Sequence, residues 1–222
     1  MIEDRRLSRR ELLEMSFALG GAAILAPLSS ILAQSAWMPT PEQVSGPFYP
    51  VAKPTDKDAD LTFIQGKPGR AQGQILHLAG RVLNLKGEPI QGVEVEIWQA
   101  NTFGRYTHPS DPNPAALDPN FEGYGVQVTD SEGRYRFKTI KPGAYPASAT
   151  WTRPPHIHFS VTGKSYRLIT QLYFEGEPLN EEDLILKNTA DKKSLITKLV
   201  PAVKDIEPDA LAAQWDIVLR GR

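Results

Sequence analysis

The sequence predicts an all-β fold, an antiparallel β-sandwich with long loops and little helix. Two observations predict it. From Gln74 onward, short runs with β-like alternation recur, separated by turn signals such as Lys86-Gly87-Glu88-Pro89, Asp130-Ser131-Glu132-Gly133 and Lys141-Pro142-Gly143. Helical spacing is confined to one weak stretch, Asn180 to Val200, where Leu184, Leu195 and Leu199 recur among charges. Many short strands with little helix pack as a sandwich or close as a barrel.

The chain has 222 residues, and its start reads as an export signal. Arg5 and Arg6 precede Ser8-Arg9-Arg10-Glu11-Leu12-Leu13, which holds a twin arginine. The run from Met15 to Leu32 carries no charged side chain, and Ala33, Ser35 and Ala36 suit a cleavage site. Residues 1–36 are therefore expected to be a twin-arginine-type signal peptide delivering a folded protein to the periplasm or outside the cell, in preference to a permanent membrane anchor. Residues 37–72, rich in Pro, Gly and Asp, are expected to form an extended arm with turns. The sandwich is expected over 73–222.

Within it, strands are expected at Ile75–Leu85, Val93–Trp98, Tyr124–Thr129, Arg134–Ile140, His156–Thr162, Leu168–Phe174 and Gln214–Leu219. Residues 101–123, with four prolines, make a loop long enough to be functional if ordered. Net charge is −1, which gives no electrostatic footprint for nucleic acid. There is no cysteine, so no disulfide holds the fold and any metal would take nitrogen and oxygen ligands.

The chain has four histidines, and two of them, His156 and His158, lie at i and i+2 in a strand-like run. Alternation puts both on one face, about 7 Å apart at Cα, where two imidazoles can converge on one ion. Two polar histidines on a solvated face would give the same spacing. Without cysteine, and with Asp and Glu scattered, tyrosine is the remaining hard donor, and tyrosine with histidine favours ferric iron over zinc. Tyr145, after the Pro142-Gly143 turn, and Tyr106, in the long loop, are candidates. Taken singly, each tyrosine is as readily a core-edge residue. Arg153, three residues before His156, and Gln171, in an apolar run, are candidates for the same pocket. His77 and His108 have no evident co-ligand. Trp98 and Tyr135 read as core, and Glu94 and Glu96 as one solvated strand face.

Several segments then carry a resemblance. They include Glu96-Ile97-Trp98-Gln99-Ala100-Asn101, Gly104-Arg105-Tyr106, Lys141-Pro142-Gly143-Ala144-Tyr145-Pro146, Arg153-Pro154-Pro155-His156-Ile157-His158-Phe159 and Ile169-Thr170-Gln171-Leu172-Tyr173-Phe174. With Gly46-Pro47-Phe48-Tyr49 and Asp216-Ile217-Val218-Leu219-Arg220-Gly221, they run collinearly through the chain and resemble the intradiol ring-cleaving dioxygenases. The resemblance implies Fe(3+) held by Tyr106, Tyr145, His156 and His158, with Arg153 and Gln171 beside a bound ring. It implies a catecholic substrate opened with O2 to a muconate-type product, in a homo-oligomer or with a related partner subunit. An exported binding module that kept the scaffold without turnover is the alternative. One departure is Ala147, where family members often carry an aromatic residue after the Tyr-Pro pair.

Overall fold

The computed structural model describes residues 37–54, 58–202, 207 and 209–221, and the expected signal over 1–36 lies outside them. Alternation organises the first sheet. In β1 (Ile75–Asn84), Leu76, Leu78 and Val82 turn inward and are buried, while Arg81 turns outward and is exposed. β4 (Arg134–Ile140) lies antiparallel to it, so that Phe137 faces Leu78 across the ladder, and Arg134 faces Arg81 on the outer side. Cross-strand apolar pairs of this kind are what hold a register.

The second sheet runs in the order β3 (Tyr124–Val128), β2 (Glu94–Trp98), β7 (His156–Gly163), β8 (Tyr166–Phe174), β9 (Ile196–Thr197). Its inward rows follow from the register. Ile97, Phe159 and Thr170 lie opposite one another, as do Val95, Val161 and Leu168, and all are buried. These rows meet Leu76, Leu78, Val82, Phe137 and Ile217 from the first sheet in one apolar core. The two-layer sandwich expected from sequence is the fold observed.

The outward rows of the second sheet are covered as well. In β7 the first four residues, His156 to Phe159, are all buried, so the strand lacks the in-out alternation of β1. Such a strand needs a second layer over it. That layer is the arm: Gln43 N donates to Ile169 O at 2.8 Å along the edge of β8, and on the outward face Gln171 Nε2 donates to Val44 O at 2.8 Å and Tyr49 Oη to Glu96 Oε2 at 3.0 Å. The arm therefore covers the sheet of its own chain.

Three features differ from expectation. The last strand, expected as Gln214–Leu219, is two, β11 (Leu211–Gln214) and β12 (Ile217–Leu219), both parallel to β1, with the short β10 (Val200–Pro201) antiparallel to β11. The ladder is interrupted after Trp215, whose carbonyl accepts from Tyr135 Oη at 2.6 Å while Arg81 N donates to the Asp216 side chain at 2.9 Å. A two-stranded hairpin, β5 (Tyr145–Ser148) with β6 (Trp151–Arg153), arises where the sequence showed no strand signal. The stretch Asn180–Val200 forms no continuous helix. It holds one short helix, α1 (Leu184–Lys187), between two 3-10 turns, Pro178–Glu181 and Lys192–Leu195. Asp183 is extended and starts α1 afresh, and Asp191 adopts a left-handed φ of 50° that ends helical continuation. Leu186 and Leu195 are buried there, whereas Leu184 is exposed.

Candidate metal centre

The outward face of the second sheet builds the centre. Register places Trp98, His158 and Gln171 in one row across β2, β7 and β8, and His156 opposite Tyr173 in the next. Alternation thus does what the His-x-His spacing predicts. The two rings converge, with Nε2 to Nε2 at 3.2 Å. Trp98 stacks on His158 with centroids 4.9 Å apart and planes 10° from parallel, and Tyr173 stacks on His156 at 5.8 Å.

The tyrosines arrive from two loops. Tyr106 sits in the long loop, which is ordered by its own short polar residues. Asn101 Oδ1 accepts from Phe103 N and Arg105 N, Asp111 Oδ2 from Tyr106 N at 2.7 Å, and Asn113 Nδ2 donates to Gly104 O at 2.8 Å. Such Asx contacts give a loop the partners that a sheet would otherwise supply. Tyr145 opens β5, whose approach is tied to the same loop by Gly143 N donating to Asn101 O at 2.9 Å. Tyr106 Oη lies 3.4 Å from His156 Nε2, the Tyr106 and Tyr145 rings meet edge-on at 5.5 Å, and Tyr145 lies 5.8 Å from the His156 ring. Phe48 from the arm packs on both tyrosines, at 4.8 and 5.8 Å. The arm also passes directly over His158, because a Cβ added at Gly46 would lie 3.2 Å from its Cε1.

Arg153, at the end of β6, is buried and multiply held. Its Nε donates to Asp183 Oδ2 at 2.8 Å and its NH2 to Tyr173 Oη at 2.9 Å, while NH1 lies 3.1 Å from His156 Nε2. Gln171 is fully buried, and its amide is engaged at both ends, with Val44 O and with Tyr173 Oη at 3.1 Å. All six residues singled out in the sequence are therefore gathered at one place. His77 lies elsewhere, 3.4 Å from Glu207, and His108 stays at the edge, its ring 5.6 Å from Phe48.

The protonation pattern suits a metal ion. Pro154 O, which can only accept, lies 2.6 Å from His156 Nδ1, so that nitrogen carries the proton and Nε2 presents its lone pair to the centre. Burial, with Arg153 and His158 nearby, holds His156 neutral, and burial with Arg153 does the same for His158. His158 Nδ1 is buried without a protein partner. Burial pushes the Tyr106 phenol well up, reinforced by Tyr145, and burial raises Tyr145 although Arg153 opposes it. Phenols so placed ionise only against a strong local cation. Among the described residues no group of three or more His, Asp or Glu forms a metal cage, so phenol oxygens are the donors available to complete the histidine pair. Two neutral imidazoles and two buried phenols fit a hard trivalent ion such as Fe(3+).

Sequence reasoning missed several supports. Glu96 is not on a solvated face: it is buried, accepting from Tyr124 Oη at 2.6 Å, Tyr49 Oη at 3.0 Å and Lys53 Nζ. Alternation did turn it away from the core, but the arm lies over that side. Asp183, thirty residues from Arg153, had no local signal tying it to that arginine. Burial opposes ionisation of Glu96, yet the hydrogen bonds from Lys53, Tyr124 and Tyr49 outweigh it and hold the carboxyl below its ordinary value. A lowered folded-state pKa contributes stability that is fully present above the unfolded value, about 4.5, and lost as pH falls through the folded one. Glu96→Gln is thus expected to cost about 1–3 kcal/mol at pH 7, discounted for the half-exposed Lys53. In denaturant titrations the gap between wild type and variant should close below about pH 4; a gap unchanged at low pH would show that the charge is not what matters.

Similarity to known proteins runs the length of this scaffold. A family model described as Dioxygenase matches residues 44–221. The chain is 45% identical over 195 residues to the protocatechuate 3,4-dioxygenase beta chain of Burkholderia cepacia, covering 83% of this chain and 82% of that one. It is 36% identical over 158 residues to catechol 1,2-dioxygenase 1 of Acinetobacter lwoffii, covering 65% of this chain and 49% of that protein, about half its length. Among solved structures, the dioxygenase domain of a carbohydrate-binding fusion from Streptomyces sp. SirexAA-E superposes with a TM-score of 0.64 at 28% identity, covering 83% of this chain and all of that one. The 3-chlorocatechol 1,2-dioxygenase of Rhodococcus opacus 1CP shares the fold, with a TM-score of 0.65 at 22% identity, covering 82% of this chain and 73% of that one.

Proposed function

The chain belongs to the intradiol ring-cleaving dioxygenases, and from that premise we propose that it is a non-haem Fe(III) enzyme opening a catechol between its two hydroxylated carbons with O2. The product of that reading is a muconate-type diacid. The observation that carries it is the convergence of Tyr106, Tyr145, His156 and His158, with Nε2 to Nε2 at 3.2 Å and Tyr106 Oη 3.4 Å from His156. These four side chains would hold the iron. When bound, the iron supplies a Lewis acid that draws electron density from the catechol oxygens and a template that fixes their position.

The protein's own residues do the rest. Arg153 stays protonated: burial opposes its charge, but Asp183 and the neighbouring tyrosines raise its pKa. Its fixed positive charge, aimed at the centre through NH1, favours negative charge developing on a ring bound there. Pro154 O keeps the His156 proton on Nδ1, away from the centre. Gln171, with both ends of its amide engaged, is a rigid wall, and it fixes the arm that closes the site. Phe48 and Trp98 exclude water, which strengthens each charge interaction inside.

The test is spectroscopic and then kinetic. Iron-loaded protein is expected to show a visible phenolate-to-iron charge-transfer band and to take up O2 with at least one of catechol, protocatechuate, chlorocatechol or hydroxyquinol. A colourless protein with stoichiometric zinc would sink the iron assignment. A coloured protein that consumes no O2 with any of the panel would favour the non-catalytic binding module.

A further inference from the structure

Among the described ion pairs, Arg153 with Asp183 is the one with both partners buried, at 2% and 0% side-chain exposure. Stability alone gives a fold little reason to keep such a pair, because desolvation offsets the attraction and apolar residues can do as well. Capping does not require it either. Asp183 accepts from Ile185 N at 3.1 Å and Leu186 N at 2.8 Å at the start of α1, but Asn or Ser would cap as effectively. What those two amides do is immobilise the carboxylate. Its two oxygens then take Arg153 Nε at 2.8 Å and NH2 at 3.3 Å. Tyr173 Oη holds NH2 from another side at 2.9 Å, and the Trp151 ring lies 5.5 Å from the guanidinium carbon. With the Nε and NH2 edge engaged, the NH1 edge is left facing His156 Nε2 at 3.1 Å.

We propose that Asp183 is a positioning residue for the reaction, fixing the Arg153 guanidinium so that its NH1 edge faces the reacting ring. This role rests on the functional reading above, in which the ring binds beside the two histidines. The guanidinium is planar, and its donors leave in fixed directions, so anchoring one edge sets the direction of the other. The backbone-held carboxylate makes that anchor independent of solvent. The same network reaches the arm: Tyr173 Oη lies 3.2 Å from Gln43 Oε1, and Gln43 Nε2 donates to Thr189 Oγ1, just beyond α1, at 2.8 Å.

The decisive experiment is a double-mutant cycle on the iron-loaded full chain. Asp183→Asn keeps the cap and removes the charge. It is expected to lower kcat by about 100-fold, the effect of a small misplacement at a reacting centre. The resting charge-transfer band and iron content should be unchanged, and KM should move far less than kcat. In an Arg153→Gln background, where there is no guanidinium to position, the same Asp183→Asn change should alter kcat by less than about twofold. An equal drop in both backgrounds, or no drop in the first, overturns the proposal. A second readout needs neither turnover nor the variant's folding: the Arg153 Nε–H in 15N-labelled, iron-free wild type is expected to exchange slowly with solvent, and exchange as fast as that of exposed arginines overturns it. A wild type that turns over catechols beside an equally active Asp183→Asn removes this role alone, whereas a wild type inert to every catechol removes the functional reading beneath it.

Discussion

His158→Ala is expected to fold and to lose its iron. The ring is buried and belongs to the outward row of β7, not to the apolar core, whose contacts Ile157 and Phe159 on the opposite face would remain. Its removal leaves a gap between Trp98, stacked on it at 4.9 Å, and the arm at Gly46. The loss at the centre is larger, since one of the two converging Nε2 atoms disappears and Arg153 NH1 stands close to the other. Outer partners of metal ligands typically cost about 10–100-fold in affinity or activity when removed, and a direct ligand should exceed that range. Iron content after dialysis, the charge-transfer band and O2 uptake measure the outcome. A variant that keeps stoichiometric iron and its colour would take His158 out of the ligand set. Far-ultraviolet circular dichroism matching wild type separates ligand loss from unfolding.

The legibility of this molecule in its sequence divides along physical lines. Strands that bury one face onto the core declare themselves by alternation, so β1, β2, β4 and β7 fall close to where the sequence puts them, while β8 is found by its apolar run. The histidine pair is legible for the same reason, since i and i+2 in a strand must share a face. Tyr106 and Tyr145 are not legible by pattern. Their side chains reach the centre through loop geometry set by Asp111, Asn101 and Gly143; donor chemistry made them candidates, and resemblance to a family singled them out. Glu96 was misread because a two-fold period reports which way a side chain turns, not what lies there. On that side Tyr49 and Lys53 of the arm wait to receive it. Asp183 and the breaks around α1 are tertiary facts of the same sort. An Asp directly before Leu184 reads as a cap, and nothing local says that an arginine thirty residues earlier uses its second oxygen.

Gly104→Ala is expected to disable the centre from a distance, through backbone alone. Gly104 holds a φ of 76°, in the left-handed region, and stands two residues before Tyr106. A left-handed alanine costs roughly 1–2 kcal/mol by itself. Here a Cβ would also drive into the carbonyl of Ala144 and lie 3.3 Å from the Cβ of Tyr145, with backbone on the far side that cannot swing away. The two tyrosine-bearing segments would have to part, although Gly143 N donating to Asn101 O ties them together and Asn113 Nδ2 pins Gly104 O within its own loop. The expected result is a loss of at least about 2 kcal/mol in denaturant unfolding. A fall in iron affinity of about 10–100-fold should accompany it, as for other disturbances just outside a metal's ligands. Gly66→Ala is the matched control. Its φ is 84°, but a Cβ there meets nothing within 4 Å, so it carries the conformational penalty without the collision. If the two alanine variants lose the same stability and both retain full iron, the close approach of the tyrosine loops at Gly104 is not what holds the donors together. If Gly104→Ala alone loses iron and colour, then the spacing of two loop backbones, and not the histidine-bearing strand, sets how tightly the phenol oxygens converge.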